Sequence, residues 1–133
     1  KTQEIVESKL IARTKTKMVP DAGKRAVMFI DDLNMPRKEK WGAQPPLELL
    51  RQCIDYGGWY DRQKKEIFKQ IIDVQFVTAM GPPGGGRAEI SQRIQTKFNI
   101  LNFTFPTDSQ IRKIFQTIMS YKLGEFDEEI KPL

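Results

Sequence analysis

The chain has 133 residues, 39% hydrophobic and 29% charged, with a net charge of +5, which suits about one globular domain. It contains no His and a single Cys, Cys53. That excludes a His/Cys zinc site, a His-based triad and an internal disulfide within these residues, and the lone thiol argues for a reducing compartment. The cations are dispersed over the N-terminal third and the surfaces of predicted helices, with no dense basic tract interleaved with aromatics. A solvated basic surface therefore explains the charge better than nucleic acid does. No apolar run approaches the ~20 residues of a membrane span, so no membrane partner is expected.

In chain order, residues 3–16 set Ile5, Val6, Leu10 and Ile11 among charged residues and predict an amphipathic helix. Residues 18–24, with Pro20, Asp21 and Gly23, predict a loop. Residues 26–31 predict a strand, and residues 33–44 a polar loop with Pro36 and Gly42. A helix then starts at Pro45 or Pro46, carries Leu47, Leu50 and Ile54 at helical spacing, and stops at Gly57-Gly58. Trp59-Tyr60-Asp61 reads as a short strand or turn, and residues 66–72 as a strand or a helical turn. A second apolar strand covers residues 73–80, and Gly81-Pro82-Pro83-Gly84-Gly85-Gly86 must be a loop. Residues 89–97 predict a short helix and residues 98–105 a third strand. In the last helix Thr107 and Gln110 fit a capping box, Ile111, Ile114, Phe115, Ile118 and Met119 form one stripe, and Gly124 ends it. Strands alternating with helices imply an α/β fold with a parallel sheet and helices on its faces. There is no internal repeat. The chain opens inside a predicted helix without a cap and ends shortly after another, so it reads as a segment of a longer polypeptide.

The most telling stretch is Val27-Met28-Phe29-Ile30-Asp31-Asp32. Four apolar residues, apolar on both faces, predict a strand buried in the middle of a parallel sheet. Open α/β sheets bind ligands at the carboxyl ends of such strands. Two acids there suit a hydrated Mg²⁺ and an attacking water, the pattern of a Walker B motif. The competing reading is a strand followed by a solvated Asp-Asp turn. The loop at Gly81–Arg87 follows a strand too, where glycines let backbone approach a phosphate. It lacks the Gly-Lys-Ser/Thr ending of a P-loop, and no Walker A motif occurs in the chain. On composition alone, a flexible connector is the favoured reading of this loop. Arg87 and Arg93 are the candidates for anion contacts, against the ordinary fate of surface cations. Trp41, Trp59 and Tyr60 read as packing residues rather than base-stacking platforms. Asn34 and Gln44 could orient water or the Asp pair.

Taken together, Phe29-Ile30-Asp31-Asp32-Leu33-Asn34-Met35-Pro36, Gly42-Ala43-Gln44-Pro45-Pro46, Leu49-Leu50-Arg51-Gln52, Gly58-Trp59-Tyr60-Asp61 and Gly81-Pro82-Pro83-Gly84-Gly85-Gly86-Arg87 resemble a dynein heavy chain. The match runs almost end to end and is most similar to the third AAA+ module of the motor ring in its axonemal (ciliary) form. The resemblance implies a partial P-loop NTPase (AAA+) three-layer sandwich, a parallel sheet flanked by helices. Residues 1–124 would be the large subdomain from Walker B onwards, and residues 125–133 the start of the linker to the helical lid. The Walker A strand and P-loop would precede Lys1. It further implies ATP or ADP with Mg²⁺ in the intact module, and neighbouring AAA+ modules of the same polypeptide as partners. Dynein intermediate and light chains and microtubules would engage through the whole motor, in the ciliary or flagellar axoneme.

By position, Asp31 falls on the metal-side acid, holding Mg²⁺ through water, and Asp32 on the catalytic acid. Gly81 and Arg87 fall in the nucleotide-facing loop, and Arg93 and Lys97 where inter-module anion contacts are made. Many AAA+ proteins have glutamate at the Asp32 position, so slow hydrolysis is expected. Where a sensor asparagine or threonine is usual, this chain has Gly81, and Thr78 is a poor substitute. Where dynein modules resemble Arg-x-x-Arg-His-Phe, it has Arg93-Ile94-Gln95-Thr96-Lys97-Phe98. Thr96 in place of the finger arginine predicts weak or no finger activity, with Lys97 a point charge lacking the bidentate fork. The rivals are another AAA+ machine such as a helicase or unfoldase, a degenerate non-hydrolysing structural module, and a nucleic-acid binder argued only by charge. With its phosphate cradle missing, the segment alone is expected to be inactive. An unpaired sheet edge would make it marginally stable or self-associating.

Overall fold

The computed structural model describes residues 1–64 and 66–124. The linker expected at 125–133 lies outside the described residues. Two units are distinguished, residues 1–99 and residues from 100 onward.

The first unit opens with a short helix, α1 (Thr2–Glu7), and not with the long helix predicted over residues 3–16. The helix tightens as Leu10 N–H bonds the Glu7 carbonyl, and the chain then turns back as β1 (Ile11–Thr14) and β2 (Lys17–Val19). Val6 and Leu10 are buried, whereas Ile5 and Ile11 are 62% and 53% exposed. Half of the apparent helical stripe therefore has nothing to cover it, and the β-branched residues beyond it find ladder partners instead. β2 also takes the first residues of the loop expected at 18–24.

β3 (Ala26–Ile30) forms as the sequence predicts and pairs in parallel with β6 (Val74–Thr78) over the register Ala26↔Val74 to Ile30↔Thr78. It is not buried on both faces. Ala26, Met28 and Ile30 are half-buried, while Val27 and Phe29 are each 63% exposed. Among the described residues β6 is the only strand beside it, so one face and one edge stay open. β4 (Gly58–Tyr60) and β5 (Phe68–Ile71) complete a separate mixed sheet in the order β1-β2-β5-β4. Gly58 is required there, because a Cβ would run into the Lys69 carbonyl of the adjoining strand.

Between β3 and β4 lies α2 (Pro45–Tyr56). Proline in its first turn lacks only an N–H that would be unbonded anyway, and Gly57, at φ 69°, ends the helix in the left-handed conformation glycine favours. Its Leu47, Leu50 and Ile54 pack with Leu33, Ile90 and Ile94, while Leu49 and Cys53 pack with Val6, Leu10, Met18 and Trp59. Phe76 of β6 touches both clusters, so α2 and β6 join the two halves of the core. Trp59 is fully buried and the Tyr60 ring, 54% exposed, packs edge-to-face on Phe68 at 5.2 Å, but Trp41 is 86% exposed, so the packing role expected of all three fails only for Trp41. The helix expected at 89–97 is confined to α3 (Gln92–Gln95), because the Ala88 N–H bonds the Asn34 carbonyl and Ser91 is still extended as the cap.

An ionic cluster fastens α1 to β4 and β5. Glu7 accepts from Trp59 Nε1 at 2.9 Å, from Gln3 Nε2 at 2.8 Å and from Lys69 Nζ at 2.8 Å. Lys69 Nζ also sits 2.8 Å from Asp61. Burial pushes the Glu7 carboxyl up, but the bonds from Lys69, Gln3 and Trp59 outweigh it and leave the pKa below the usual value. The bond from Lys69, with backbone N–H groups of Lys64 and Gln63, lowers Asp61 to about 2.

The strand predicted at 98–105 does not form. Ile100, Leu101, Phe103 and Phe105 are 63–93% exposed. A strand exists only as one side of a ladder, and no partner is present among the described residues. α4 (Asp108–Leu123) does form, with the expected capping box: Thr107 N–H donates to Gln110 Oε1 at 2.8 Å and Gln110 N–H to Thr107 Oγ1 at 3.4 Å. Its apolar stripe, Ile111 to Met119, is exposed. No helix among the described residues is long and apolar enough to cross a membrane.

Candidate functional site

The two acids sit on an irregularity just past the end of β3. The Ala79 N–H bonds the Ile30 carbonyl at 2.9 Å, and the Ala79 carbonyl accepts from Leu33 N–H at 3.0 Å. That span holds one residue more than a regular parallel ladder allows, as in a β-bulge. Asp32 absorbs it in the left-handed region, at φ 48°, a conformation aspartate tolerates better than most residues. Asp31 Oδ1 accepts the Asp32 N–H at 2.9 Å, and Met35 N–H bonds the Asp32 carbonyl at 2.9 Å. The bulge thus throws both carboxylates off the strand end.

Asp31 and Asp32 open onto a cavity of about 380 Å³ whose other walls include Thr2, Ile30, Met35, Leu47 and Leu50. The sequence signals Leu47 and Leu50 only as a helix core face, and nothing in it marks Thr2 or Met35 as site walls. A larger hollow of about 500 Å³ in the second unit, walled by residues such as Phe103, Lys113 and Ile114, has no carboxylate.

Gly81 and Arg87 do not line the acid cavity; Arg87 alone meets the acids, from the loop after β6. Arg87 Nε donates to Asp32 Oδ1 at 2.9 Å, with both side chains a little over one-third exposed. The loop is an ordered turn rather than a bare connector. Gly84 and Arg87 exchange two backbone bonds of 3.0 Å, and Gly85 and Gly86, at φ 57° and 89°, supply the two left-handed residues of a tight hairpin turn. Asn34 is 1% exposed and its Nδ2 donates to the Gly81 carbonyl at 2.8 Å, while its Oδ1 has no partner among the described residues. It holds the loop, not the Asp pair. Gln44 donates to the Pro36 carbonyl at 2.7 Å and braces the polar loop.

The inter-module candidates lie apart from the acids, on and just after α3. Arg93 is 68% exposed and only 4.0 Å from Glu48. Lys97 Nζ lies 2.6 Å from Asp55. That bond, with help from Arg51, holds the Asp55 pKa below its usual value. Thr96 Oγ1 donates to the Arg93 carbonyl at 3.1 Å. Burial pushes the Cys53 thiol up to about 11, so it stays protonated near neutral pH and is no nucleophile.

No group of three or more His, Cys, Asp or Glu residues that could cage a metal occurs among the described residues. Two adjacent carboxylates do fit a Mg²⁺ ion that keeps most of its waters and takes its remaining ligands from phosphate. Asp31 is exposed and has an oxygen without a protein partner among the described residues, as that mode requires.

Residues 1–106 match the family model described as the P-loop containing dynein motor region. The chain belongs to the dynein motor family. Dynein axonemal heavy chain 2 of Mus musculus is 56% identical over 131 residues, which is 98% of this chain and 3% of that protein. The dynein-1-beta heavy chain of the flagellar inner arm I1 complex of Chlamydomonas reinhardtii is 55% identical over 131 residues, again 98% and 3%. Dynein axonemal heavy chain 1 of Homo sapiens is 49% identical over 118 residues, 89% of this chain and 3% of that protein. The chain thus spans about 3% of the length of the curated relatives it matches. Membership in the dynein motor family removes the helicase and unfoldase alternatives, and the parallel β3–β6 pair with its helices fits a partial AAA+ fold.

Proposed function

We propose that the chain is part of the third AAA+ module of an axonemal dynein motor ring, and that it contributes Walker B acids to a nucleotide site coupling ATP to microtubule-based movement in cilia. The observation that carries this reading is the pair of carboxylates on a bulge at the carboxyl end of a parallel strand, facing a cavity. Residues 1–124 form the large subdomain from Walker B onwards, and residues 125–133 lead toward the lid. Asp31 would hold hydrated Mg²⁺ through water, and Asp32 would orient or deprotonate the attacking water. Bound Mg²⁺ supplies neutralisation of the polyphosphate charge. Gly81 and Arg87 belong to the loop after β6 on the nucleotide-facing side, with Arg87 acting through Asp32. Arg93 faces the neighbouring module, while Lys97, engaged by Asp55, adds little, so finger activity is weak. The partners are the adjacent modules of the same polypeptide and, through the whole motor, intermediate and light chains and microtubules.

The test is nucleotide exchange and turnover in the full-length heavy chain. Asp31→Asn weakens Mg²⁺-dependent retention of ATP or ADP, and Asp32→Asn keeps binding but stops turnover at this module. If neither substitution changes either quantity, the chain is a degenerate structural module. Asp32→Glu speeds single turnover if the short side chain limits hydrolysis, and an unchanged rate removes that idea. Thr96→Arg alters affinity and turnover at the neighbouring site, and no change there removes the finger assignment.

A further inference from the structure

We infer that Arg87 is the positioning residue of Asp32, and that the small residue at Gly81 leaves the space its stem occupies. The inference rests on the nucleotide-site reading above and assigns a control element to that site. Asn34 grips both ends of the glycine loop: its Nδ2 donates to the Gly81 carbonyl at 2.8 Å and its own carbonyl accepts from Ala88 N–H at 2.9 Å. Between those anchors the Gly84–Arg87 turn doubles the chain back, so that Arg87 points at the acids. Its stem crosses directly over Gly81. A Cβ built at Gly81 would lie 3.4 Å from Arg87 Cδ and Nε and 3.7 Å from Cζ. Anything larger than a methyl group there competes for the space the guanidinium stem occupies. Arg87 Nε then donates to Asp32 Oδ1 at 2.9 Å.

The geometry gives Gly81 a role other than the loss of a sensor side chain. The loop reads the site through Arg87, whose Nε holds one oxygen of Asp32, a residue already in the left-handed region. Asp32 keeps its other oxygen for the attacking water. An ion pair exposed to this degree contributes little to stability, so a purely structural role and a positioning role predict different outcomes.

In the full-length heavy chain, turnover at this module is the part that Asp31→Asn removes; if Asp31→Asn removes none, it is the nucleotide-site reading that fails. Arg87→Gln is expected to lower single turnover of Mg-ATP roughly 10- to 100-fold, the usual scale for losing a group that orients a reacting residue. Mg-ATP affinity stays within about twofold. Gly81→Val, which leaves both charged residues in place, reproduces the loss, and Arg87→Lys restores part of it. In an Asp32→Asn background, Arg87→Gln leaves Mg-ATP affinity unchanged. A fall in affinity in that background would show that Arg87 holds the nucleotide itself and would overturn the inference, as would wild-type turnover in both Arg87→Gln and Gly81→Val.

Discussion

Two ionic clusters in the first unit are built on different plans. Glu7, Lys69 and Asp61 are each about one-fifth exposed, and Lys69 bridges both acids while Trp59 and Gln3 add further donors to Glu7. Asp32 and Arg87 share one bond and are a little over one-third exposed, with Asp31 beside them exposed to solvent. Saturation suits a fastener between α1 and the β4–β5 hairpin, and spare bonding capacity suits a site that must accept a ligand. Charge alone does not separate the two; the number of partners and the degree of burial do.

Substitutions in the two clusters should therefore part stability from nucleotide chemistry. The largest effect on stability is expected for Trp59→Ala, which removes a fully buried ring and the bond from its Nε1 to Glu7. It should cost about 3–5 kcal/mol, read as a lower denaturant midpoint. Gly58→Ala drives a methyl into the Lys69 carbonyl and should cost about 1–3 kcal/mol in the same assay. A smaller effect is a pH dependence. Asp61 is lowered from 3.8 to about 2 by Lys69 and two backbone N–H groups. Below pH 3.8 the unfolded chain takes up the proton first, so the stability this group contributes is complete above that pH. It falls away as the pH drops toward 2. Lys69→Met should flatten that acid limb in denaturation curves recorded between pH 5 and 2. At the other end, Arg87→Gln should change stability by less than about 1 kcal/mol, whatever it does to turnover. A large loss of stability from Arg87→Gln would mean that the second cluster is a fastener too.

What the sequence revealed was local. Pro45 and Gly57 bracket α2, the Thr107–Gln110 box starts α4, and the apolar runs mark β3 and β6, because each signal lies within the element it defines. The β1–β2 hairpin was hidden, since β2 draws its second partner from Gln70 and Ile71, far along the chain. The segment at 98–105 has strand composition but no ladder, and composition cannot supply a partner. At the site, Asp31, Asp32 and Arg87 stand out by residue type. The Asp32–Arg87 bond joins residues 55 apart, and the bulge that exposes the acids depends on Ala79, just past the neighbouring strand. Neither can be read from a hexapeptide.

The most direct measurement is Mg-ATP binding by calorimetry, on this chain and on a longer one that continues upstream through the P-loop strand of the same heavy chain. The account predicts heat of binding from the longer chain only, lost when Mg²⁺ is chelated and weakened by Asp31→Asn. A longer chain that is folded and gives no binding, or binding indifferent to Asp31→Asn, would contradict it.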